Sequence, residues 1–598
     1  MRDKLLRYGR EGNSFQIDSA IGLGCCLSKF GIHSQNDIPV YRDESRGVVL
    51  VGDALIYNWS ELAEQCCLGG RDIISTQALL LEAYFKWGEE SPKHINGDFA
   101  FAVWERRKKS LFVARDHLGV RPLYYAYDGS VFAFATDYRA LLALPSVDRA
   151  IDEQTLYASL ANVCAFNSEA TYFKGIKALP QAHTLYIDEK GIRKTKYWRP
   201  GKNGRIRYET EAEYAEALRA IVEDAVKIRV LSGNGKMGAE LSGGLDSSVI
   251  TIIANRALAR AGKTLELFSW SPSFKYMGRL PNDERTFVER VCRQEGLECA
   301  FFEPSIPSRD PDEVVPPYAG DAAVIRQERD VMAQKGVTFV LSGWGGDQGI
   351  SRRPKLLELL LTGCWAHFIG EIRHLAKGSP WRFCGLLISN SLFELFRPYG
   401  YFGKPDPEIL TFMSRTLTKK EKRHSGRDVL YFSLSPVRHL ESGYIQNRTE
   451  SAAWMDAETS IQHVYPFLDY RVVDFSMAIP RHLYYKNGVS RYVFREAFSS
   501  ILPKEICRYM PKNDFAKSAY FSKTLMDTSA KTKLIVEELD RGLFSGIIDF
   551  AALTNQARNP AVNDKKNVIL RKRRVLTCHS IQKILAETRT SSQTRDED

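Results

Sequence analysis

The sequence predicts an α+β domain of layered sheets followed by an α/β domain with a parallel sheet and a helical C-terminal part. A chain of 598 residues is too long for one hydrophobic core, because such cores stop growing near about 250–300 residues. The spacing of apolar residues changes at residues 197–208, a segment rich in Gly, Arg and Lys. We therefore expect domains at 1–200 and 209–588 and a polar tail at 589–598.

Short apolar runs separated by turn residues dominate the first domain. Runs of this length predict strands, and one longer segment with helical periodicity, residues 76–87, predicts a helix between them. The predicted strands lie at residues 21–24, 47–52, 99–104, 111–114, 123–126 and 131–135. This pattern indicates stacked sheets with few helices.

Helices and strands alternate in the second domain up to about residue 341, which is typical of βαβ units on a parallel sheet. The predicted strands end at Leu241 and lie at residues 265–270, 299–302 and 337–341; the predicted helices are 211–228, one from Ser247, 285–295 and 325–335. Ligands of such sheets bind at the C-terminal ends of the strands. Beyond about residue 352 the sequence is mostly helix-like.

Composition narrows the class of protein without deciding it. The formal net charge of +11 is modest for this length; it suits an anionic ligand such as ATP and disfavours a nucleic-acid partner. Eleven cysteines include no CxxC pair, and no long apolar run or signal-like start is present, so we expect a reduced, cytoplasmic protein without a membrane anchor.

A glycine- and serine-rich turn follows the strand that ends at Leu241 and opens a helix. Glycines allow close backbone approach, and the N–H groups at a helix start attract anionic oxygen. This predicts a phosphate-binding loop built from Leu241, Ser242, Gly243, Gly244, Asp246, Ser247 and Ser248. A helix cap without a ligand is the alternative. Because Asp246 repels phosphate, the loop implies a divalent cation, Mg²⁺.

A second glycine-rich turn, residues 341–348 (LSGWGGDQ), also follows an apolar strand. It adds Ser342 and Gly343 to the predicted ATP site and supplies another carboxylate, Asp347. We expect Asp246 and Asp347 to share one Mg²⁺, which prefers oxygen ligands.

The first turn, SGGLDSS, looks like the pyrophosphate loop of ATP pyrophosphatases, and the chain as a whole resembles the asparagine-synthetase-like enzymes. The matching motifs are GDFAFAVW (97–104), ARDHLGVRPLYY (114–125), PFLDY (466–470), Arg495 in YVFREAF (492–498) and Leu502-Pro503. The resemblance implies an N-terminal-nucleophile-type sandwich before an ATP-pyrophosphatase domain. It also implies activation of a carboxylate as an acyl-adenylate, which an amine then attacks.

Several positions depart from the family pattern. Glutamine-dependent members begin with a cysteine nucleophile, but this sequence starts Met1-Arg2-Asp3, so we expect an inactive glutaminase-like domain in which Cys25 and Cys26 are structural thiols. Trp344 replaces a glutamate that helps hold aspartate in asparagine synthetases, which suits a larger substrate. Gln348 likewise replaces a usual glutamate.

The cation that stabilises pyrophosphate is the last predicted site residue. Arg491 stands at the position of a lysine in relatives; it can neutralise phosphate charge but cannot donate a proton at neutral pH. Lys486 is the nearby alternative, and a surface role for Arg491 stays open.

These departures favour lasso-peptide cyclases, which join a peptide's N-terminal amine to an Asp or Glu side chain. The expected substrate is a precursor peptide, with a leader-binding protein and a leader peptidase of the same pathway as partners. The alternatives are a β-lactam-synthetase-like or other peptide amide synthetase, an ammonia-using asparagine synthetase, and a non-catalytic or nucleic-acid-binding protein.

Overall fold

The computed structural model divides into the two kinds of domain that the sequence predicts. It describes residues 1–9, 11–18, 21–68, 75–160, 168–202, 204, 206–271, 273–275, 283–301, 322–393, 413, 436–508, 535–558 and 575–587. The predicted polar tail at 589–598 lies outside these residues. Within them, no helix is both long and apolar enough to cross a bilayer.

Antiparallel sheets form the first domain. Its strands are β1 (Gly12–Asp18), β2 (Ile21–Leu27), β3 (Tyr41–Asp43), β4 (Val48–Ile56), β5 (Gly97–Glu105), β6 (Ser110–Arg115), β7 (Tyr124–Tyr127), β8 (Phe132–Ala135), β9 (Lys177–Ala178), β10 (His183–Asp188) and β11 (Gly191–Lys196). A six-stranded sheet has the order β11-β10-β6-β5-β4-β3, and β8-β7-β9 form a smaller sheet. The prediction of a layered α+β domain is confirmed.

The central strand β5 is buried on both faces. Phe99 and Phe101 pack on one side with Leu79 of helix α3 (Thr76–Trp87), while Ala100 and Ala102 pack on the other side with the smaller sheet. Alternate residues of a strand face opposite sides, so the near-continuous apolar run of this strand is explained by layers above and below it.

Helix α3 has the bounds that its periodicity predicts. The hydroxyl of Ser75 caps its start by accepting a hydrogen bond from the Ala78 N–H at 3.1 Å, and Gly88 ends it with a φ of +58°. The other helices of this domain are α1 (Arg2–Leu5), α2 (Trp59–Gln65), α4 (Tyr138–Leu142) and α5 (Glu153–Leu160).

A five-stranded parallel sheet forms the centre of the second domain. Its strands are β12 (Lys236–Glu240), β13 (Leu265–Ser269), β14 (Cys299–Phe301), β15 (Val337–Leu341) and β16 (Gln462–Val464), in the order β14-β13-β12-β15-β16. The connecting helices are α6 (Glu211–Ser232), α7 (Leu245–Arg260), α8 (Arg285–Glu295) and α9 (Ala322–Gln334). The predicted parallel sheet is confirmed, and α7 begins two residues before the predicted Ser247.

Strand order decides where the two glycine-rich turns lie. β12 and β15 are parallel neighbours, with Ala239 paired to Leu341. Their C-terminal ends therefore lie side by side, and the turn that follows each strand leaves the sheet at the same edge.

The described residues of the remaining part are mostly helical, as predicted, and include a short hairpin of β17 (Tyr485–Lys486) and β18 (Val489–Ser490). Its helices are Leu356–Leu361, Trp365–Ala376, Pro380–Ile388, Pro436–Glu441, Gly443–Thr459, Tyr470–Ala478, Tyr492–Phe498, Lys504–Arg508, Phe550–Arg558 and 575–587.

Polar contacts join the two domains. Asn96 donates a hydrogen bond to Asp469 at 3.2 Å, and the guanidinium of Arg121 donates to the side chain of Gln462 at 2.5 Å. All four side chains are buried. The ARDHLGVRPLYY and PFLDY motifs are thereby placed on the domain interface, where each buried polar group needs a partner.

Candidate active site

The first glycine-rich turn connects β12 to α7 with the geometry of an anion-binding loop. Leu241 anchors it, since its N–H donates to Phe268 of β13 at 2.8 Å and its side chain is buried. The hydroxyls of Ser242 and Ser247 lie 3.0 Å apart, and the Gly244 N–H donates to Ser242 at 3.3 Å. Two hydroxyls and the start of a 16-residue helix are thus gathered at one strand end.

Ser248 differs from the other serines of this loop. Its side chain is fully buried, and its N–H donates to the Gly244 carbonyl at 3.1 Å as part of the helix. Among the predicted phosphate-binding serines, Ser242 lies in the turn, and Ser247 and Ser248 lie in the first turn of α7. The Ser247 hydroxyl contacts that of Ser242, whereas the Ser248 side chain is fully buried.

The second turn packs directly against the first. A Cβ atom on Gly343 would lie 2.6 Å from the Ser247 nitrogen, and one on Gly346 would lie 2.7 Å from the Asp246 carboxyl carbon. Both distances are shorter than Cβ contacts allow, so these positions require glycine. Ser342 faces inward, and its hydroxyl donates to Glu240 at 2.5 Å.

Asp246 and Asp347 are brought together by Arg491. The Arg491 guanidinium pairs with Asp246 at 3.2 Å and also with Asp347. Arg491 is 3% exposed, whereas Asp246 and Asp347 are 15% and 27% exposed. One cationic group thus reaches both carboxylates at the mouth of the loop.

The backbone around Arg491 fixes this contact. Arg491 has a left-handed φ of +61° and precedes the helix Tyr492–Phe498, a conformation that non-glycine residues adopt at functional sites at a cost of about 1–3 kcal/mol. The β17–β18 hairpin leads into it, and the buried Glu371 carboxylate accepts hydrogen bonds from the turn N–H groups of Asn487 and Gly488 at 2.7 and 2.9 Å.

Lys486 lies in the same hairpin but faces a different partner. Its ammonium group bonds the Glu211 carboxylate at 2.6 and 2.8 Å and lies 5.1 Å from the Tyr492 ring centre. The structure therefore places Arg491, and not Lys486, on the two aspartates. A role for either residue in the reaction stays a prediction.

The loop is also surrounded by charged residues that the sequence analysis did not select as site residues. Burial raises the pKa of Glu284 to about 7, while Arg353 acts to lower it. Burial and the neighbouring Arg491 lower the pKa of Arg495 to about 10. Arg495 belonged to a recognised motif, but only the fold brings Arg353 and Glu284 to the mouth of the loop.

Trp344 leaves the second turn on the side of an aromatic cluster. Its ring centre lies 5.9 Å from that of Tyr465 and 6.2 Å from that of Tyr444, and it also packs near Leu468. The indole is half-buried. It thus forms part of an aromatic cluster on the turn that also carries Asp347.

The Cys25 thiol of the first domain is poorly suited to nucleophilic chemistry. Burial raises the pKa of the Cys25 thiol to about 12, and the negative charge of Asp53 adds to this effect. Cys25 lies 3.8 Å from the Gly52 carbonyl, to which it donates. Since the thiolate is the reactive form, Cys25 fits a packing role.

The residues at the mouth of the loop fit a magnesium ion. In the described parts of the chain no three or more His, Cys, Asp and Glu side chains gather into a metal cluster, but Mg²⁺ in nucleotide sites is commonly held by one or two carboxylates together with phosphates. Asp246 and Asp347 both pair with the guanidinium of Arg491, so they lie close enough to share a positive charge. The buried Oδ1 atom of Asp246 has no hydrogen-bond partner among the described residues.

Comparison with known proteins agrees with this architecture. Residues 1–198 match the family described as glutamine amidotransferase domain, and residues 217–545 match the family described as asparagine synthase. Asparagine synthetase (glutamine-hydrolyzing) 3 of Bacillus subtilis (strain 168) is 25% identical over 500 residues, covering 80% of this chain and 76% of that protein. Asparagine synthetase (glutamine-hydrolyzing) 1 of the same organism is 24% identical over 549 residues, covering 85% and 81%.

An amidotransferase-type domain followed by a parallel-sheet domain with this loop defines an ATP-dependent amide-forming ligase. The match at residues 217–545 spans more than half of the sequence. The chain therefore belongs to the asparagine synthase family.

Proposed function

We propose that this enzyme closes a macrolactam in a precursor peptide, as lasso-peptide cyclases do. It activates an Asp or Glu side chain of the peptide as an acyl-adenylate, and the peptide's N-terminal amine attacks the activated carbonyl. The observation that carries the proposal is Trp344, which forms an apolar wall with Tyr444 and Tyr465 beside the predicted ATP site. Such a wall suits a peptide better than free aspartate.

The chain's own residues supply the binding and the charge for the first step. The turn around Ser242, Gly243 and Ser247 binds the β and γ phosphates, and Arg491 neutralises negative charge on the leaving pyrophosphate. The substrate carboxylate attacks the α-phosphorus, the bond to the β-phosphate oxygen breaks, and pyrophosphate departs. Asp246 and Asp347 hold Mg²⁺, which when bound contributes further positive charge at the phosphates.

In this proposal the first domain acts as a scaffold. Its buried contacts to Asp469 and Gln462 hold the strand ends in place, and the thiol chemistry of Cys25 supports no glutaminase centre at that position. The amine then comes from the peptide. A leader-binding protein and a leader peptidase are the partners that such a pathway supplies.

The direct test is pyrophosphate release by the wild-type enzyme with three substrates: ATP alone, aspartate plus ammonium chloride, and a panel of synthetic peptides. Each peptide carries a free N-terminal glycine and one Asp or Glu at successive positions. We expect release with a subset of peptides, together with a product that has lost one water. Release with aspartate and ammonia, and with no peptide, would assign an asparagine synthetase instead.

Trp344→Ala is expected to slow peptide-dependent turnover by roughly 10- to 100-fold, because loss of a packed aromatic contact costs about 1–3 kcal/mol. The KM for ATP should change by less than about threefold, since the indole lies on the Tyr465 side of the turn. Trp365→Ala is the matched control, because Trp365 is 66% exposed at the start of the helix Trp365–Ala376, away from the second turn in sequence.

Trp344→Glu provides a second comparison. One carboxylate does not rebuild an amino-acid pocket, so aspartate-dependent release should stay at the background level. Unchanged peptide turnover in both Trp344 variants would contradict the assignment of the indole to the peptide site.

A further inference from the structure

A buried carboxyl group on α9 has no assigned role. Glu328 is 1% exposed, and neither of its side-chain oxygens has a hydrogen-bond partner among the described residues. Within the described residues Glu328 forms an ion pair with Arg329, whose Nη1 atom lies 3.8 Å away, beyond hydrogen-bond distance. Burial of a carboxyl without a donor is costly, so such a group is expected to serve a ligand or a proton transfer.

Glu328 lies close to the strand ends that form the predicted active site. The charged groups that face it are Glu240 of β12, His463 of β16, Arg448 of the helix Gly443–Thr459, and Arg329 on its own helix. These groups come from four elements that converge at the edge where both glycine-rich turns begin.

The neighbours of Glu328 are already paired with one another. His463 Nδ1 lies 2.8 Å from Asp456, its Nε2 lies 3.5 Å from Glu240, and Arg329 donates to Asp456 at 2.6 Å. Burial acts to lower the pKa of His463, but Asp456 outweighs it and raises the value to about 9. Two of the cations near Glu328, His463 and Arg329, therefore have closer partners in other carboxylates.

This network is continuous with the second glycine-rich turn. Ser342 donates to Glu240 at 2.5 Å and accepts a hydrogen bond from the Trp344 N–H at 3.3 Å. Trp344 in turn packs against Tyr465. The Glu328 carboxyl, which accepts no hydrogen bond from the described residues, thus belongs to the part of the site where the substrate, rather than the phosphates of ATP, is expected.

We propose that Glu328 binds the attacking amine of the substrate and accepts its proton. The inference rests on the proposed function, which makes that amine the N-terminal amine of a peptide. Once Glu328 has released its own proton, the ammonium group binds the carboxylate, one N–H proton moves to a Glu328 oxygen, and the free amine attacks the acyl carbon. The C–N bond forms, the bond from carbon to the AMP oxygen breaks, and the second proton leaves with the AMP phosphate.

The pKa of the Glu328 carboxyl is close to that of an α-amino group. Burial raises the pKa of its carboxyl to about 8, and the nearby charge of Glu240 adds to the increase. An α-amino group has an ordinary pKa of about 7.7–8.0, so the transfer is nearly balanced in energy. General bases are most effective when their pKa lies near that of the group they deprotonate and near the working pH.

The test separates adenylation from amine capture in the Glu328→Gln variant. We expect ATP–pyrophosphate exchange, measured with an N-acetylated peptide that has no free amine, to stay within about twofold of the wild-type rate. Amide formation with the free peptide should fall by more than about 100-fold, the usual contribution of a positioned base. Hydroxylamine, which is largely unprotonated at neutral pH, should trap the acyl-adenylate equally well in both enzymes.

Glu105→Gln is the matched control, because Glu105 is a buried glutamate of β5 that bonds Tyr84 in the first domain. It should leave exchange and amide formation unchanged. The inference is overturned if Glu328→Gln forms amide at the wild-type rate, or if exchange and hydroxylamine trapping fall together with amide formation.

Thermal unfolding gives a readout that is independent of turnover. An unfolded glutamate loses its proton near its ordinary pKa of 4.5, whereas folded Glu328 keeps it to about pH 8, so this residue destabilises the wild type as pH rises through that window. Glu328→Gln should therefore melt at or above the wild-type temperature, with a difference that grows from pH 5 to pH 8. A lower melting temperature at pH 8 would assign Glu328 to a structural ion pair.

The proposed function and this inference fail in different ways. Absence of release with every peptide removes the cyclase proposal. If the wild type then uses aspartate and ammonia, the same comparison with ammonia and hydroxylamine still tests Glu328 as the amine's proton acceptor.

Discussion

Asp246→Asn and Asp347→Asn are each expected to lower pyrophosphate release by more than about 100-fold, because Mg²⁺ loses an anionic ligand while the backbone loop remains. Each amide is isosteric with the carboxylate it replaces, so the glycine contacts of the second turn are preserved. The remaining carboxylate still pairs with Arg491, and we expect the loss of unfolding free energy to stay below about 2 kcal/mol.

The measurement is steady-state pyrophosphate release over a range of Mg²⁺ concentrations, together with thermal unfolding. Asp330→Asn, which alters an exposed carboxylate on α9, is the matched control and should behave as the wild type. Activity within tenfold of wild type in both aspartate variants would rule out the two-aspartate magnesium site.

Arg491→Ala is expected to reduce pyrophosphate release by at least about 100-fold, because the guanidinium is the cation that contacts both aspartates and that the leaving pyrophosphate would meet. Arg491→Lys should retain much more activity, since it keeps the positive charge at that position. The control is Arg256→Ala. Arg256 lies on α7, as Asp246 does, and pairs with Glu295 of α8, so its removal should change turnover little.

The thermal stability of Arg491→Ala gives a second test, which does not depend on the substrate. Without Arg491, two carboxylates face each other with no guanidinium between them, and their repulsion destabilises the fold. A divalent cation that binds the folded protein reverses this effect. Mg²⁺ should therefore raise the melting temperature of Arg491→Ala more than that of the wild type; an equal response would show that Arg491 and Mg²⁺ do not share the two aspartates.

Local sequence patterns predicted much of the fold because they reflect short-range physics. Helix α3, helix α8 and strand β15 have the bounds expected from their periodicity. The Ser75 cap and the left-handed Gly88 mark the limits of α3 in the sequence itself. The two-domain division and the parallel sheet followed from the alternation of strands and helices.

The choice between Lys486 and Arg491 could not be made from the sequence. Lys486 lies in the β17–β18 hairpin and Arg491 directly follows it, five positions further on, and both are cations of similar reach. The turn at Asn487 and Gly488, held by Glu371 from a helix more than 100 positions away, directs Arg491 toward the aspartates and Lys486 toward Glu211.

By itself, the sequence determined the fold class, the position of the two glycine-rich turns and the amino acids at the predicted site, because strand periodicity and glycine-rich turns are local properties. Only the tertiary structure decided which charges meet. The burial of Glu328, the pairing of its neighbour Arg329 with Asp456 and the contact of Arg491 with both aspartates join elements from distant parts of the chain. Charge and pKa depend on such long-range packing, since desolvation and neighbouring charges are set by the assembled fold.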